Sequence, residues 1–177
     1  MHAPTTSNRV HPDLVRLRPV GPGDLDALYA MQADAESNAM AGTKPRPRDV
    51  FFAVWDKHFV NPLINGQVIE VQRAPARAEP PAYEIAGSIA CFQPPDGSNH
   101  VGYWIAREHW GRGFASRALP LFLKQEPRRP LHATTAASNA ASQRILERCG
   151  FRRVGQKWCE ETERYLAPEV VEWVLES

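Results

Sequence analysis

The chain opens on a polar stretch, residues 1–13, without periodic apolar positions, which predicts a flexible tail. Residues 14–20, LVRLRPV, then alternate apolar and basic side chains. A period of two marks a half-buried strand. Gly21, Pro22 and Gly23 break it. Leu25, Leu28, Tyr29 and Ala33 recur at helical spacing, so a helix is expected over about 24–37 with Asp24 at its start. After the breaker at 45–48, residues 49–60, DVFFAVWDKHFV, predict a second amphipathic helix ended by Asn61 and Pro62. Phe51, Phe52, Trp55 and Phe59 lie on it, and helix packing accounts for at least two of them.

Residues 66–72 and 83–92 read as strands on either side of a Pro/Ala-rich linker at 73–81. The turn signal PPDG at 94–97 precedes another strand over 100–106. These three predict an antiparallel meander. The period then changes: a helix is expected over 112–124, a strand over 131–136 and a helix over 139–149. Closing strands are expected over 151–158 and about 163–174. Pro120 falls inside the first of these helices, where it costs about 3 kcal/mol and predicts a kink or an early end. The order β-α-α-β-β-β-α-β-α-β-β describes one mixed α/β domain over 14–177, built around a single sheet.

Composition narrows the function. Lys and Arg number 21 against 20 Asp and Glu, a net charge of +1. A nucleic-acid partner is therefore not expected, because phosphate neutralisation calls for a basic excess. No apolar run approaches the ~18–20 residues that cross a bilayer, and the start lacks a secretory apolar stretch. No membrane association and a cytoplasmic location are expected. Cys91, Cys149 and Cys159 are scattered, with no CxxC or HExxH pattern, and read as packing thiols. No metal is expected.

The chemistry concentrates in two stretches. Residues 101–116, VGYWIAREHWGRGFAS, run from a strand into a loop with Gly111 and Gly113 and then straight into a helix. Glycines let the backbone turn tightly and present successive N–H groups. A helix N-terminus adds free donors and partial positive charge, so the segment is a cradle for a pyrophosphate or, equally on the loop alone, an ordinary tight turn. Arg112 can add a charged bond at its rim. There is no GxxxxGK[ST], which argues against a P-loop NTPase, and the loop is too short and wrongly placed for a dinucleotide fingerprint. Residues 135–151, TAASNAASQRILERCGF, place Asn139 where a helix begins and Ser142 three residues on, with Gly150 at its end. By themselves these two polar residues read first as a plain N-cap and a first-turn polar residue.

Together, GYWIAREHWGRGFAS and SNAASQRILERCGF resemble the GNAT superfamily of acetyl-CoA-dependent N-acetyltransferases. They are most similar to the branch that includes RimJ and RimL, which acetylate ribosomal-protein N-termini. The resemblance implies a splayed, mostly antiparallel sheet of about seven strands flanked by about four helices. Acetyl-CoA would lie where the strand at 100–106 diverges from that at 131–136. The backbone of Trp104, Ile105 and Ala106 would pair with the pantetheine arm. Trp110 opens the loop where the family commonly has Gln or Arg, and the amides of Gly111, Arg112, Gly113, Phe114, Ala115 and Ser116 would hold the pyrophosphate. Asn139 and Ser142 would meet the pantetheine or the thiol end, and Arg144 the nucleotide end.

The family's frequent tyrosine acid is absent, since Leu146 holds its place, and Ser142 is the substitute. His100 stands where a glutamate is common and is the candidate base, because an imidazole of pKa about 6.5 can take the amine's proton near neutrality. Arg107 and His109 read as solvated, and Glu160, Glu161 and Glu163 as a wet acidic surface. The implied acceptor is a primary amine, either a protein N-terminus or a small molecule, and a homodimer is left open. A non-catalytic acyl-CoA-binding module and an NAD-type nucleotide binder are the alternatives.

Overall fold

The computed structural model describes residues 15–72 and 82–177. The expected tail at 1–13 and linker at 73–81 lie outside the described residues. Among the described residues, seven strands form one sheet in the order β1-β2-β3-β4-β5-β7-β6. They are β1 (Val15–Pro19), β2 (Asn65–Gln72), β3 (Tyr83–Phe92), β4 (Asn99–Ile105), β5 (Leu131–Ala136), β6 (Arg152–Trp158) and β7 (Glu169–Leu175). All neighbours are antiparallel except β4 and β5, which run parallel. This is the expected mixed α/β architecture, and the meander β2-β3-β4 falls where the period-two pattern put it.

The alternation in β1 works as the sequence suggests. Val15 enters the core, while Arg16 and Arg18 donate from Nε to the Glu70 carboxylate at 2.6 and 2.8 Å. Burial alone would raise the Glu70 carboxyl, but the two guanidiniums hold it below its ordinary value. The pairing fixes the register of β1 on β2, since a slip of one residue would move both charges to the apolar face.

Among the described residues, five α-helices flank the sheet. On one face, α1 (Leu25–Ala33) and α3 (Arg48–Val60) pack Leu25, Leu28, Phe51 and Trp55 against Val20 and Val68. On the other, α4 (Phe114–Gln125) and α5 (Ala140–Arg148) bury Phe114, Ala118, Leu119, Phe122 and Leu146 against Ile69, Ile89, Val101 and Trp173. Phe51 and Trp55 are thus core residues, as expected, and Phe52 packs against the same cluster. Phe59 is 40% exposed.

Three expectations need correction. The helix expected over 24–37 is two helices, α1 and α2 (Ala35–Ala41), because Asp34 turns extended at ψ 126 and caps α2 through the Ser37 N–H at 2.8 Å. An Asp favours this capping bond over mid-helix geometry. Pro120 does not end α4, which continues to Gln125. Burial of Ala118, Leu119 and Phe122 around it outweighs the lost hydrogen bond. The last strand begins at Glu169 rather than about 163. The segment before it docks on the end of α2 instead: Lys44 N–H donates to the Arg164 carbonyl at 2.7 Å, and Leu166 N–H to the Gly42 carbonyl at 3.0 Å.

Candidate active site

β4 and β5 are paired at only two positions, Asn99 with Leu131 and His100 with His132, and then part. The gap opens toward the C-terminal end of β4. Around it lies a cavity of about 530 Å³ walled by β4, the loop that follows it, the N-terminal turns of α4 and α5, and α2. Trp104, Ile105, Trp110, Gly111, Gly113, Phe114, Ala115, Ser116, Asn139, Ser142 and Arg144 all line it. Residues up to 40 positions apart in the chain therefore converge where the two motifs meet.

Gly111 and Gly113 adopt φ of 71° and 76°, left-handed backbone that glycine tolerates and other residues rarely do. A Cβ at either position would meet nothing within 4 Å, so both open on unfilled space. Gly113 directly precedes α4, whose first N–H groups lack helical partners. This open set of donors fits a pyrophosphate, and the unpaired edge of β4 fits an extended amide-bearing arm.

Alternation along β4 sets which backbone groups face the gap. The Ala106 N–H donates to Ala86 in β3 at 2.8 Å, and its carbonyl accepts from His109 at 2.9 Å. Ala106 is 1% exposed and does not line the cavity. Both of its backbone groups, expected to meet the pantetheine arm, are thus engaged within the protein. Trp104 shares its parity and turns its backbone to β3 as well. The groups facing the gap belong to Tyr103 and Ile105. The Ile105 carbonyl accepts from the Trp110 indole N–H at 2.8 Å, across the mouth of the gap. The Trp104 indole instead donates to the Met31 carbonyl at 3.1 Å and ties β4 to α1.

The loop after β4 is braced by side chains read from sequence as solvated. His109 is 6% exposed, packs its ring on Phe114 at 5.6 Å and lines the cavity. Its Nδ1 lies 3.2 Å from Arg112 Nη1. A guanidinium only donates, so Nδ1 accepts and Nε2 carries the hydrogen, 3.7 Å from Glu84. Arg112 is thus held against the loop and does not wall the cavity. Arg107 pairs with Glu36 at 2.7 Å and Asp34 at 3.4 Å, joining the loop to α2. Of the acidic run, Glu161 pairs with Lys44 at 2.6 Å on the surface.

Asn139 caps α5, its Oδ1 accepting from the Ser142 N–H at 3.1 Å. Its side-chain NH₂ takes no part in that bond. Leu146 is 1% exposed in the core and offers no polar group. Tyr103, which sequence reasoning did not single out, lines the cavity, and its hydroxyl donates to the Ser142 carbonyl at 3.4 Å. Burial pushes its phenol up to about 12. The available signal was parity: Val101, Tyr103 and Ile105 share the face that α4 and α5 cover.

His100 stands at the closed end of the gap, outside the cavity wall, with its ring stacked on His132 at 5.4 Å. The Ser98 hydroxyl donates to Asp96 at 2.5 Å and lies 3.0 Å from His100 Nε2. The hydroxyl proton is therefore engaged, Nε2 is the donor, and the lone pair sits on Nδ1. Burial, with the nearby His132, lowers the imidazole below its ordinary value, against weaker opposition from Asp96 and Glu172. Cys91 is a buried packing thiol, pushed up to about 11 by burial. Among the described residues, no three His, Cys, Asp or Glu side chains are placed to hold a metal ion, and no helix is long and apolar enough to cross a membrane.

Residues 15–152 match the sequence profile of the acetyltransferase (GNAT) domain. Among solved structures, the fold is similar to spermidine N-acetyltransferase from Vibrio cholerae, solved in complex with CoA and spermine. That match has TM-score 0.72 and 20% identity over 93% of this chain and 96% of the other. An acetyltransferase from Thermus thermophilus gives TM-score 0.69 and 18% identity over 95% and 100%. RimL, a ribosomal L7/L12 α-N-protein acetyltransferase in complex with CoA, gives 0.67 and 14% over 92% and 94%. No curated protein matches the chain by sequence.

Proposed function

The chain belongs to the GNAT acetyltransferase family and is an acetyl-CoA-dependent N-acetyltransferase, and on that premise we propose how its residues divide the work and what it acetylates. The acceptor is a primary amine, a protein N-terminus or a small molecule such as a polyamine, as in the RimL-like branch and in the solved spermidine enzyme. The observation that carries this reading is the parting of β4 from β5 above the open glycine loop. The co-substrate supplies an acetyl group already activated as a thioester. The N–H groups from Gly111 to Ser116 bind the pyrophosphate, Arg144 meets the nucleotide end, and the gap-facing amides of Tyr103 and Ile105 hold the pantetheine arm and polarise the acyl carbonyl. Asn139 and Ser142 hydrogen-bond near the thiol end. Ser37, Met40 and Ala41 of α2 shape the opposite wall, where the amine is admitted.

The amine must lose a proton to attack. His100 accepts it. Its tautomer leaves Nδ1 as a base, and its lowered pKa keeps the ring neutral at pH 7. It lies four residues from Trp104, about 13 Å along the strand, so the proton travels by water. Gly102, on the same face between them, adds no side chain of its own, and the Phe92 ring borders that space, 3.5 Å from where a Cβ would stand. His100→Ala is expected to slow turnover more at pH 7 than at pH 9, where more of the amine is already neutral. The assay is CoA thiol release with spermidine and with peptide N-termini as acceptors. A loss of the same size at both pH values would remove His100 as the base. Binding of acetyl-CoA without thiol release for any amine would reduce the protein to an acyl-CoA-binding module.

A further inference from the structure

We infer that the Tyr103 phenol donates a hydrogen bond to the sulfur that leaves from the acetyl donor, and so takes the place of the hydroxyl that α5 does not supply at Leu146. The inference rests on the acetyltransferase reading and adds to it a residue that touches the reacting atoms.

Four observations carry it. Tyr103 lies on β4 at the point where the strand has lost β5 as a neighbour, so it flanks the gap rather than the continuous sheet. Its side chain shares the face of Val101 and Ile105, toward α5, and its hydroxyl reaches the first turn of that helix at the Ser142 carbonyl. Both residues line the same cavity. The bond to Ser142 is long, 3.4 Å, where a phenol normally bonds at about 2.7–2.8 Å. A half-buried hydroxyl in a weak bond can turn to a better acceptor, and a developing thiolate is one. Leu146, buried in the core one turn further along α5, cannot compete for that place.

The chemistry balances without a net transfer from tyrosine. The amine nitrogen forms a bond to the acyl carbon, and the carbon–sulfur bond breaks with its electron pair left on sulfur. The proton released from nitrogen goes to His100 through water. The phenol, pushed up to about 12 by burial, is a weaker acid than a thiol of pKa about 8.5, so its proton stays on oxygen. Tyr103 therefore lowers the cost of the charge on sulfur through a charge-assisted bond. Because the phenol is protonated throughout the neutral range, this contribution is present wherever the amine can react.

A bound thiol reports this bond without any turnover. The probe is CoA itself, titrated with pH on the enzyme and followed by thiolate ultraviolet absorbance, with desulfo-CoA as the blank that cancels Cys91, Cys149, Cys159 and the tyrosines. Cys149 is the titratable group that interacts with the phenol, and His109, Arg144 and Arg148 are the charged or titratable groups in the same cavity wall. All are retained in Tyr103→Phe, which keeps the ring packing and removes only the hydroxyl. The expected result is a bound thiol that ionises about one pH unit higher in Tyr103→Phe than in the parent protein. CoA affinity at pH 7, where the thiol is protonated, should change less than twofold. With any accepted amine, kcat should fall about tenfold or more while KM for acetyl-CoA holds. Equal thiol pKa values in the two complexes would overturn the inference and leave the acetyltransferase reading intact. Failure of the parent protein to bind CoA would overturn both.

Discussion

Glu126 ends α4 with its carboxylate 2% exposed and surrounded by donors. Arg128 reaches it from Nε at 2.6 Å and Nη2 at 2.7 Å, and Asn65 from Nδ2 at 3.0 Å. Arg128 chiefly, against the cost of burial and with help from Asn65, holds the carboxyl at about 2. A carboxyl depressed on folding stabilises the protein above its unfolded value of about 4.3 and loses that contribution as pH falls toward 2. Glu126→Gln should therefore lower stability by about 2 kcal/mol at pH 7, discounting for the partly exposed Arg128, and by much less near pH 2. Urea unfolding at both pH values checks this, and equal losses would contradict it. At this scale the sequence showed which residue types could do chemistry but not their surroundings. His109 reads as a loop histidine beside charged neighbours, yet tertiary contacts bury it and turn it into the brace for Arg112. Tyr103 reads as a strand aromatic, and only the helix packed over it brings its hydroxyl to Ser142.

Elements were more legible than residues because their signals are local. The glycine loop and the Asn139 cap lie where the pattern put them, and Gly150 ends α5 with φ of 89°. The elements that departed did so where two local rules competed. Asp34 sits inside an apolar period of helical spacing but also prefers to cap, and the cap prevailed. Pro120 should end a helix early, and core burial on both sides of it carries the helix on to Gln125. Side-chain parity along β4 is legible in sequence, but which backbone groups face the gap is not, since that depends on which neighbour β4 bonds. The loop's own test is Gly113→Val. A branched side chain at φ 76° is strained by about 1–2 kcal/mol, and its atoms enter the space the cradle leaves open. Acetyl-CoA affinity should fall at least about tenfold by calorimetry while the protein still unfolds cooperatively. Undiminished affinity would place the pyrophosphate elsewhere.

The arrangement of the whole molecule turns on one feature that no local pattern encodes. A meander of antiparallel strands meets a parallel neighbour, holds it for two residue pairs and releases it. The candidate site is the space so created, walled by α2 and by the first turns of α4 and α5. Its existence was legible only because two separated motifs resemble a known family, and the profile match over residues 15–152 bears out that family. Polar bracing across the site follows from the same arrangement: Arg107 ties the loop to α2, and Trp104 ties β4 to α1. What fills the gap decides the function. The most direct measurement is a calorimetric titration of the folded protein with acetyl-CoA, with NAD as the control. The expected result is saturable one-to-one binding of acetyl-CoA and none of NAD. Heat of binding with NAD, or none with acetyl-CoA, would contradict it.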